Sequence, residues 1–447
     1  MAFIIGRSGY TKAQFLQSLA GKQDTLDSGV NIKTINGNNI LGAGNVDINP
    51  RHYEYDLTDT EIALKTDTIS KINTYNPNGS YVMIGFITDI HTMPTKSEIS
   101  EDTGVESVVE AILASGIELE PAAEGETIAG EIRSTWPSSD VNYYGKTSER
   151  SIVLLGAICH DAGVDAVLCN GDLSSGRLPY NSYAYMLEII ARTFDQYISV
   201  PYFIADGNHD RKYDSNVQAR INSEWRKYMA RFVHPKNLGL IYVKDIQEAV
   251  VQGDANPLLG YSVDINKNQA NKLRLAVLSN YEKSNGGVYA TSLNYSMSMT
   301  NHNANEWVLC CISHTNFHFS TSYYDAAFNG TAKSKGASSD QHTFPAMNNG
   351  VKYKGVLGGI HGHLHQSACS EDSGYHLIRV INSYGEKNSS SSDNYGFSIF
   401  IFDTDNWWLY EIQVGRHSRN DADYPDVEGL YEKIATGVYR YKIKHNE

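Results

Sequence analysis

Five short clusters in this sequence carry residue types that do metal chemistry. They are Thr88-Asp89-Ile90-His91, Asn170-Gly171-Asp172, Asp206-Gly207-Asn208-His209-Asp210, Cys311-Ile312-Ser313-His314 and Gly362-His363-Leu364-His365. Their donors are carboxylate, amide and imidazole, with no thiolate needed, a set that suits divalent Mn, Fe, Zn or Ni, manganese first among them. Asp89, His91, Asp172, Asn208, His314, His363 and His365 make seven candidate ligands. Seven is too many for one tetrahedral ion and about right for two ions that share a bridging carboxylate. Such pairs sit ~3.5–4 Å apart, where they activate a hydroxide and neutralise charge on a phosphoryl group. Each cluster has a bland reading as well: Asp-x-His or His-x-His is common by chance, and Gly-Asn-His-Asp could be a simple turn. What outweighs it is that each cluster closes an apolar run.

Those runs are the elements that must position the donors. Apolar, β-branched stretches occur at 81–90, 164–169, 201–205, 272–279, 307–313, 355–361, 376–382 and 396–402. Helical spacing lies between several of them, with Tyr183, Leu187, Ile190 and Phe194 on one face and Val217, Ile221, Trp225, Tyr228 and Phe232 on another. Buried strands alternating with amphipathic helices predict an α/β domain whose helices cover its sheets. Open sheets of this kind gather ligands at the carboxyl ends of their strands, where the five clusters fall. On an extended chain residues i and i+2 point the same way, so Asp89 and His91 are expected to clasp one ion while Ile90 packs inward. Gly171 is expected to let the backbone approach the site.

In this order, Asp-x-His, Gly-Asp, Gly-Asn-His-Asp, a lone strand-end His and Gly-His-x-His resemble the calcineurin-like metallophosphoesterase family, over roughly residues 81–416. The resemblance implies a four-layer α/β sandwich and two metals. It implies that Asp89, His91 and His365 hold the first metal, that Asn208, His314 and His363 hold the second, and that Asp172 bridges. His209, oriented by Asp210, would contact the phosphate and protonate the leaving oxygen. The chain departs from compact relatives in a long polar stretch at 93–147, read as an insertion without sustained period, and in a second at 319–350. It also has Leu173-Ser174-Ser175-Gly176-Arg177 after the Gly-Asp pair, where relatives often carry a further polar residue. Arg177 could meet a substrate phosphate or form a structural ion pair, and His318 is a candidate for lining the cleft. His361 alternates away from His363, while His160, His302, His342 and His376 read as surface or packing residues.

Residues 1–50 differ from the rest and are expected to form a small β-rich module. A tight turn is expected at Asn36-Gly37, and so small a segment cannot bury a core alone. The phrase Lys22-Gln23-Asp24-Thr25-Leu26, with Asn31-Ile32-Lys33-Thr34-Ile35-Asn36-Gly37 and Leu41-Gly42-Ala43-Gly44-Asn45, resembles a module of bacteriophage tail-fibre and baseplate proteins. That resemblance implies attachment to other tail or baseplate proteins through residues 1–50, and a place in the virion after assembly in the host cytoplasm. Residues 51–80 read as a connector, helical over 55–75, and 417–447 as a C-terminal extension.

Composition bounds the function. The 447 residues hold 37 Lys and Arg against 51 Asp and Glu, a net charge of −14, which makes nucleic acid the weaker substrate. Two divalent cations would reverse that field locally and still admit a phosphate ester. The five cysteines form no paired framework and are expected to be reduced, with Cys159 in a helix and Cys369 in a loop. No apolar run is long enough to span a bilayer, and the start lacks the charged region of a signal peptide. Together these readings describe a tail-associated phosphodiesterase acting on a host surface polymer such as teichoic acid or a phosphate-bearing polysaccharide. Two alternatives stand beside it: an intracellular nucleotide or nucleic-acid phosphodiesterase, and a non-catalytic receptor-binding tail protein. The 30 tyrosines and the polar insertions fit a sugar-facing surface. A homo-oligomer is possible, although no sustained heptads support a coiled coil.

Overall fold

The computed structural model describes residues 55–92, 94–137, 147–174, 178–205, 207, 209–211, 241–244, 261–277, 304–314, 321–329, 352–383, 395–416 and 426–446. All of them fall in one compact unit, Tyr55–Glu447. The module expected at 1–50 and the helix expected over Val217–Phe232 lie outside the described residues.

Two large mixed sheets form the centre. In the first, β1 (Val82–Ile87), β2 (Ala166–Asn170) and β3 (Tyr202–Ala205) run parallel. They continue antiparallel through β11 (Gly396–Asp403), β12 (Trp408–Gly415), β14 (Val438–Lys442) and β13 (Tyr431–Ala435). The second sheet has the order β4 (Ile241–Lys244), β5 (Tyr261–Asn266), β6 (Lys272–Val277), β7 (Val308–Ile312), β8 (Gly355–His361), β10 (Tyr375–Arg379) and β9 (Ala368–Asp372). A two-residue strand, β15 (Lys444–His445), pairs with the start of β8. The segment read as a C-terminal extension therefore supplies strands to both sheets.

Every residue of β1, β2, β3, β6, β7, β8 and β11 is buried, so both faces of each are covered, which is why they read as unbroken apolar runs. One continuous apolar core joins residues of both sheets. Polar pairs are built into it. Asp264 and Arg274 are cross-strand partners on β5 and β6, and the guanidinium donates to both carboxylate oxygens at 2.6 Å. Cys369 lies on β9 and not in a loop, and all five cysteines are buried and unbridged.

Helices cover the sheets and complete the layered α/β architecture. Helix α1 (Asp59–Tyr75), within the segment read as a connector, begins with a capping box in which Thr58 and Glu61 satisfy each other's backbone donors. The buried Glu61 carboxylate also accepts from Arg150 on α5 (Thr147–Ala162) and from the Tyr395 hydroxyl at 2.8 Å each. This clamps α1 onto the sandwich, against α5 and β12. Helix α6 (Tyr180–Tyr197) buries Tyr183, Leu187, Ile190 and Phe194, the face read from their spacing.

The expectation of an unpatterned insertion at 93–147 is corrected. Its described part forms α2 (Lys96–Glu101), α3 (Val105–Ala114) and α4 (Ile128–Thr135). Val105, Val108, Val109 and Ile112 form a buried stripe, and α3 and α4 pack on α6. The second insertion contains α7 (Thr321–Asn329), which packs against β8. No helix among the described residues is long and apolar enough to cross a membrane.

Candidate metal centre

The described donors emerge from the carboxyl ends of β1 and β2 in one sheet and of β7 and β8 in the other. Their backbone is not the extended chain that i, i+2 spacing suggests. β1 stops at Ile87, and Asp89 and His91 have φ of 50° and 41°. Asp172, His363 and His365 are left-handed as well, at 49°, 74° and 56°. Only Ser373 and Trp407 join them among the described non-glycine residues with positive φ. A left-handed L-residue is strained, and five of them at one place mark a backbone held there by its surroundings.

The holding contacts run loop to loop. The N–H groups of Asp89, His91 and Thr92 donate to the carbonyls of Gly171, Asp172 and Leu173 at 3.1, 2.9 and 2.9 Å. Gly362 N–H donates to His314 O at 3.1 Å, and His363 N–H to Asp89 Oδ2 at 2.9 Å. Ile90 is fully buried, so its inward packing is as expected although the backbone is not extended. Gly171 has φ of 80°, and a Cβ there would lie 2.6 Å from His314 Nδ1. Gly362 is equally constrained, because a Cβ there would overlap the Thr88 hydroxyl and the Asp89 carboxylate.

These contacts gather two groups of inward-facing donors: Asp89, His91 and His365 in one, Asp172, His314 and His363 in the other. Within the first, Asp89 Oδ1 lies 3.3 Å from His365 Nε2 and 4.0 Å from His91 Nε2. Asp172 Oδ2 is 3.1 Å from His314 Nε2 and 3.7 Å from His91 Nε2, so it stands between the two groups. The imidazoles are aimed from behind. His91 Nδ1 meets Ser174 O at 3.2 Å and His314 Nδ1 meets Asn170 O at 2.7 Å, which leaves both Nε2 atoms facing inward.

The electrostatics are those of a cation site. Asp89 Oδ1 and His314 Nε2 are buried and have no hydrogen-bond partner among the described residues. Burial works against both carboxylates, yet the His314 imidazole beside them holds Asp89 and Asp172 below the ordinary carboxylate range. Burial likewise opposes charge on His314, and the two carboxylates outweigh it, raising the imidazole to about 10. Burial lowers His91 to about 4. Oxygen and imidazole donors around orphaned buried atoms fit divalent cations of the Mn, Fe, Zn or Ni kind.

His209 opens the turn after β3. Its side chain is one-third exposed (33%), with Nε2 4.0 Å from Asp172 Oδ2 and its ring edge-on to His91 at 4.8 Å. Asp210 is fully buried in the same turn. Its Oδ1 accepts from the N–H groups of Leu173 and Ser174 at 2.9 and 3.2 Å, and its Oδ2 from Gly207 at 2.8 Å. It ties the His209 loop to the Asp172 loop by backbone bonds, and burial with the nearby Asp172 charge pushes it up to about 8. Asn208, Arg177 and His318 lie outside the described residues.

Of the other histidines, His361 is buried on β8, lowered to about 3 by burial and by Arg379. His376 is buried too, its Nε2 2.9 Å from Lys442 O, and His160 is exposed beside Asp161. His302 and His342 are outside the described residues. Two contributors were not singled out from sequence, Thr88 and Asn170. Both are fully buried polar residues next to a ligand motif, Thr88 one step beyond β1 and Asn170 the last residue of β2, and that position was the available signal.

The profile of the calcineurin-like phosphoesterases matches residues 82–367, well over half of the chain. No sequence among curated proteins matches. Among solved structures, a dimetal phosphatase from Danio rerio is 13% identical, covering 76% of this chain and 98% of its own, with a TM-score of 0.39. The purple acid phosphatase PPD1 of yellow lupin is 12% identical over 75% of this chain and 51% of its own, at 0.36. GAP50, the anchor in the inner membrane complex of Plasmodium, is 10% identical over 82% and 90%, at 0.33. Likeness at this level leaves the chemistry to the family match and to the site itself.

Proposed function

Because the chain belongs to the calcineurin-like phosphoesterase family, we propose that it is a two-metal phosphodiesterase. The observation that carries this reading is the pair of donor groups converging on Asp89 Oδ1 and His314 Nε2, buried atoms that face each other's groups without a hydrogen bond. Asp89, His91 and His365 would hold one cation, and His314 and His363, with Asn208, the other, Asp172 serving both. Manganese is the first choice of metal. When bound, the two cations supply Lewis-acid polarisation of the phosphoryl group and activation of water.

The chain's own residues do the rest. His91 and His314 present Nε2 because their Nδ1 atoms are engaged by backbone carbonyls. His209, the half-open imidazole at the edge of the donor groups, contacts the phosphate and protonates the leaving oxygen. Asp210 holds the loop that carries it. Arg177 and His318 are proposed to meet the substrate.

The proposed setting is a bacteriophage tail or baseplate, reached through residues 1–50, with a phosphate-bearing polymer of the host surface as substrate. Support comes from the Lys22–Leu26 and Asn31–Asn45 phrases and from the acidic balance, which disfavours nucleic acid. The test is metal analysis and turnover of bis-p-nitrophenyl phosphate, followed by digestion of purified envelope polymers and of nucleotides. Released phosphate fragments from the polymer support the reading. Turnover of nucleotides alone would move the protein inside the infected cell, and no turnover of any ester would leave a binding protein.

A further inference from the structure

Thr88 is the last residue before the Asp-x-His motif, and its side chain is fully buried. Its hydroxyl lies 2.7 Å from Asp89 Oδ2 and 2.8 Å from the Asn170 carbonyl. It has one proton to give, and the charged carboxylate is the stronger acceptor. Asp89 Oδ2 also accepts from His363 N–H at 2.9 Å, so two donors occupy that oxygen. The other oxygen, Oδ1, is the one without a hydrogen-bond partner, facing His365 Nε2 at 3.3 Å. On its second side the hydroxyl touches the carbonyl that receives His314 Nδ1–H at 2.7 Å. One small side chain thus contacts a member of the first donor group and the support of the second.

We propose that Thr88 is a positioning residue: by engaging Asp89 Oδ2 beside the Asn170–His314 support, its hydroxyl fixes which carboxylate oxygen meets the cations and joins both donor groups to one frame. The role rests on the two-metal reading above. Gly362 belongs to the same arrangement, since a Cβ there would occupy the hydroxyl's place. Without the hydroxyl, Oδ2 keeps only the His363 N–H, and Asp89 is held less firmly towards a cation. Outer hydrogen bonds of this kind are worth about 10–100-fold in metal affinity.

The experiment compares Thr88→Ser with Thr88→Ala in the full-length protein. Both lose the methyl group, and only the second loses the hydroxyl. Chelator competition with Mn2+ and melting with and without Mn2+ are read beside turnover of bis-p-nitrophenyl phosphate. The expected result is Mn2+ affinity ~10-fold or more weaker in Thr88→Ala, a smaller Mn2+-dependent rise in melting temperature, and values near wild type in Thr88→Ser. Equal affinity in the two variants overturns the proposal. Should Thr88→Ala not fold, Thr88→Val keeps the volume and removes the hydroxyl, with the same comparison to serine. A wild-type protein that binds no Mn2+ and no Zn2+ overturns both this role and the two-metal reading. Metal bound equally by wild type and Thr88→Ala overturns this role alone.

Discussion

Asp264 on β5 and Asp89 beyond β1 are buried to the same degree, at 1% and 0% exposure, and are treated in opposite ways. Each oxygen of Asp264 receives a guanidinium N–H of Arg274, so the charge is answered where it stands. Asp89 has one oxygen saturated by Thr88 and His363 and the other left facing imidazoles. Nearby, Asp172 adds a second carboxylate of the same sign, which works to raise Asp89. A buried pair that closes on itself serves the fold. An open carboxylate oxygen on left-handed backbone costs stability, and such costs persist where a ligand is meant to sit.

The sharpest way to break this contrast is Asp172→Ala. Bound metal should fall from two per chain to one or none, and turnover by ~10³-fold or more, the several kcal/mol that Lewis-acid assistance supplies. The melting temperature of the chelated variant should fall, because His314 loses the carboxylate at 3.1 Å that holds its charge. Full activity in this variant would end the two-metal reading.

His209→Ala probes the boundary between holding metal and using it. Metal content should stay at the wild-type level while turnover drops ~10²–10⁴-fold, the usual worth of a positioned general acid. Loss of metal in this variant would make His209 a ligand instead.

Asp264→Ala should spare the metal site that Asp172→Ala disrupts. Leaving Arg274 buried without its carboxylate costs about 3–5 kcal/mol, read as a lower melting temperature or urea midpoint. The folded fraction should bind metal and turn over ester as wild type does. An unchanged melting temperature would mean that the pair is not a structural element after all.

Much of the site was legible in one dimension. The donors at Asp89, His91, Asp172, His314, His363 and His365 were readable because ligand chemistry needs particular side chains, and these follow buried strands whose apolar runs are unmistakable. Strands β5 and β12 were harder to read. Asp264 interrupts β5, and β12 buries Glu411, because their partners come from other strands: Arg274 answers Asp264, and Ser398 and Tyr441 donate to Glu411 at 2.8 and 2.6 Å. A polar residue satisfied across a sheet looks, along the chain, like a residue meant for solvent. The helices at 96–135 are a different kind of miss. Val105, Val108, Val109 and Ile112 are at helical spacing, and Thr95 and Glu98 form a capping box, but the polar residues around them masked short elements.

The donor types, their order and the count that asks for two ions were all set by the sequence itself, since carboxylates and imidazoles carry their metal preference wherever they stand. The grouping of the donors was a tertiary decision. His91 and His365 are brought together from opposite sheets, with their Nε2 atoms 3.4 Å apart. The i, i+2 pairs point inward from left-handed turns and not from extended strands, because loop-to-loop hydrogen bonds outweigh the local strain. Which oxygen of Asp89 stays open depends on a hydroxyl next to it in sequence and on an N–H that lies far along the chain. Only the folded chain brings those two donors to the same atom.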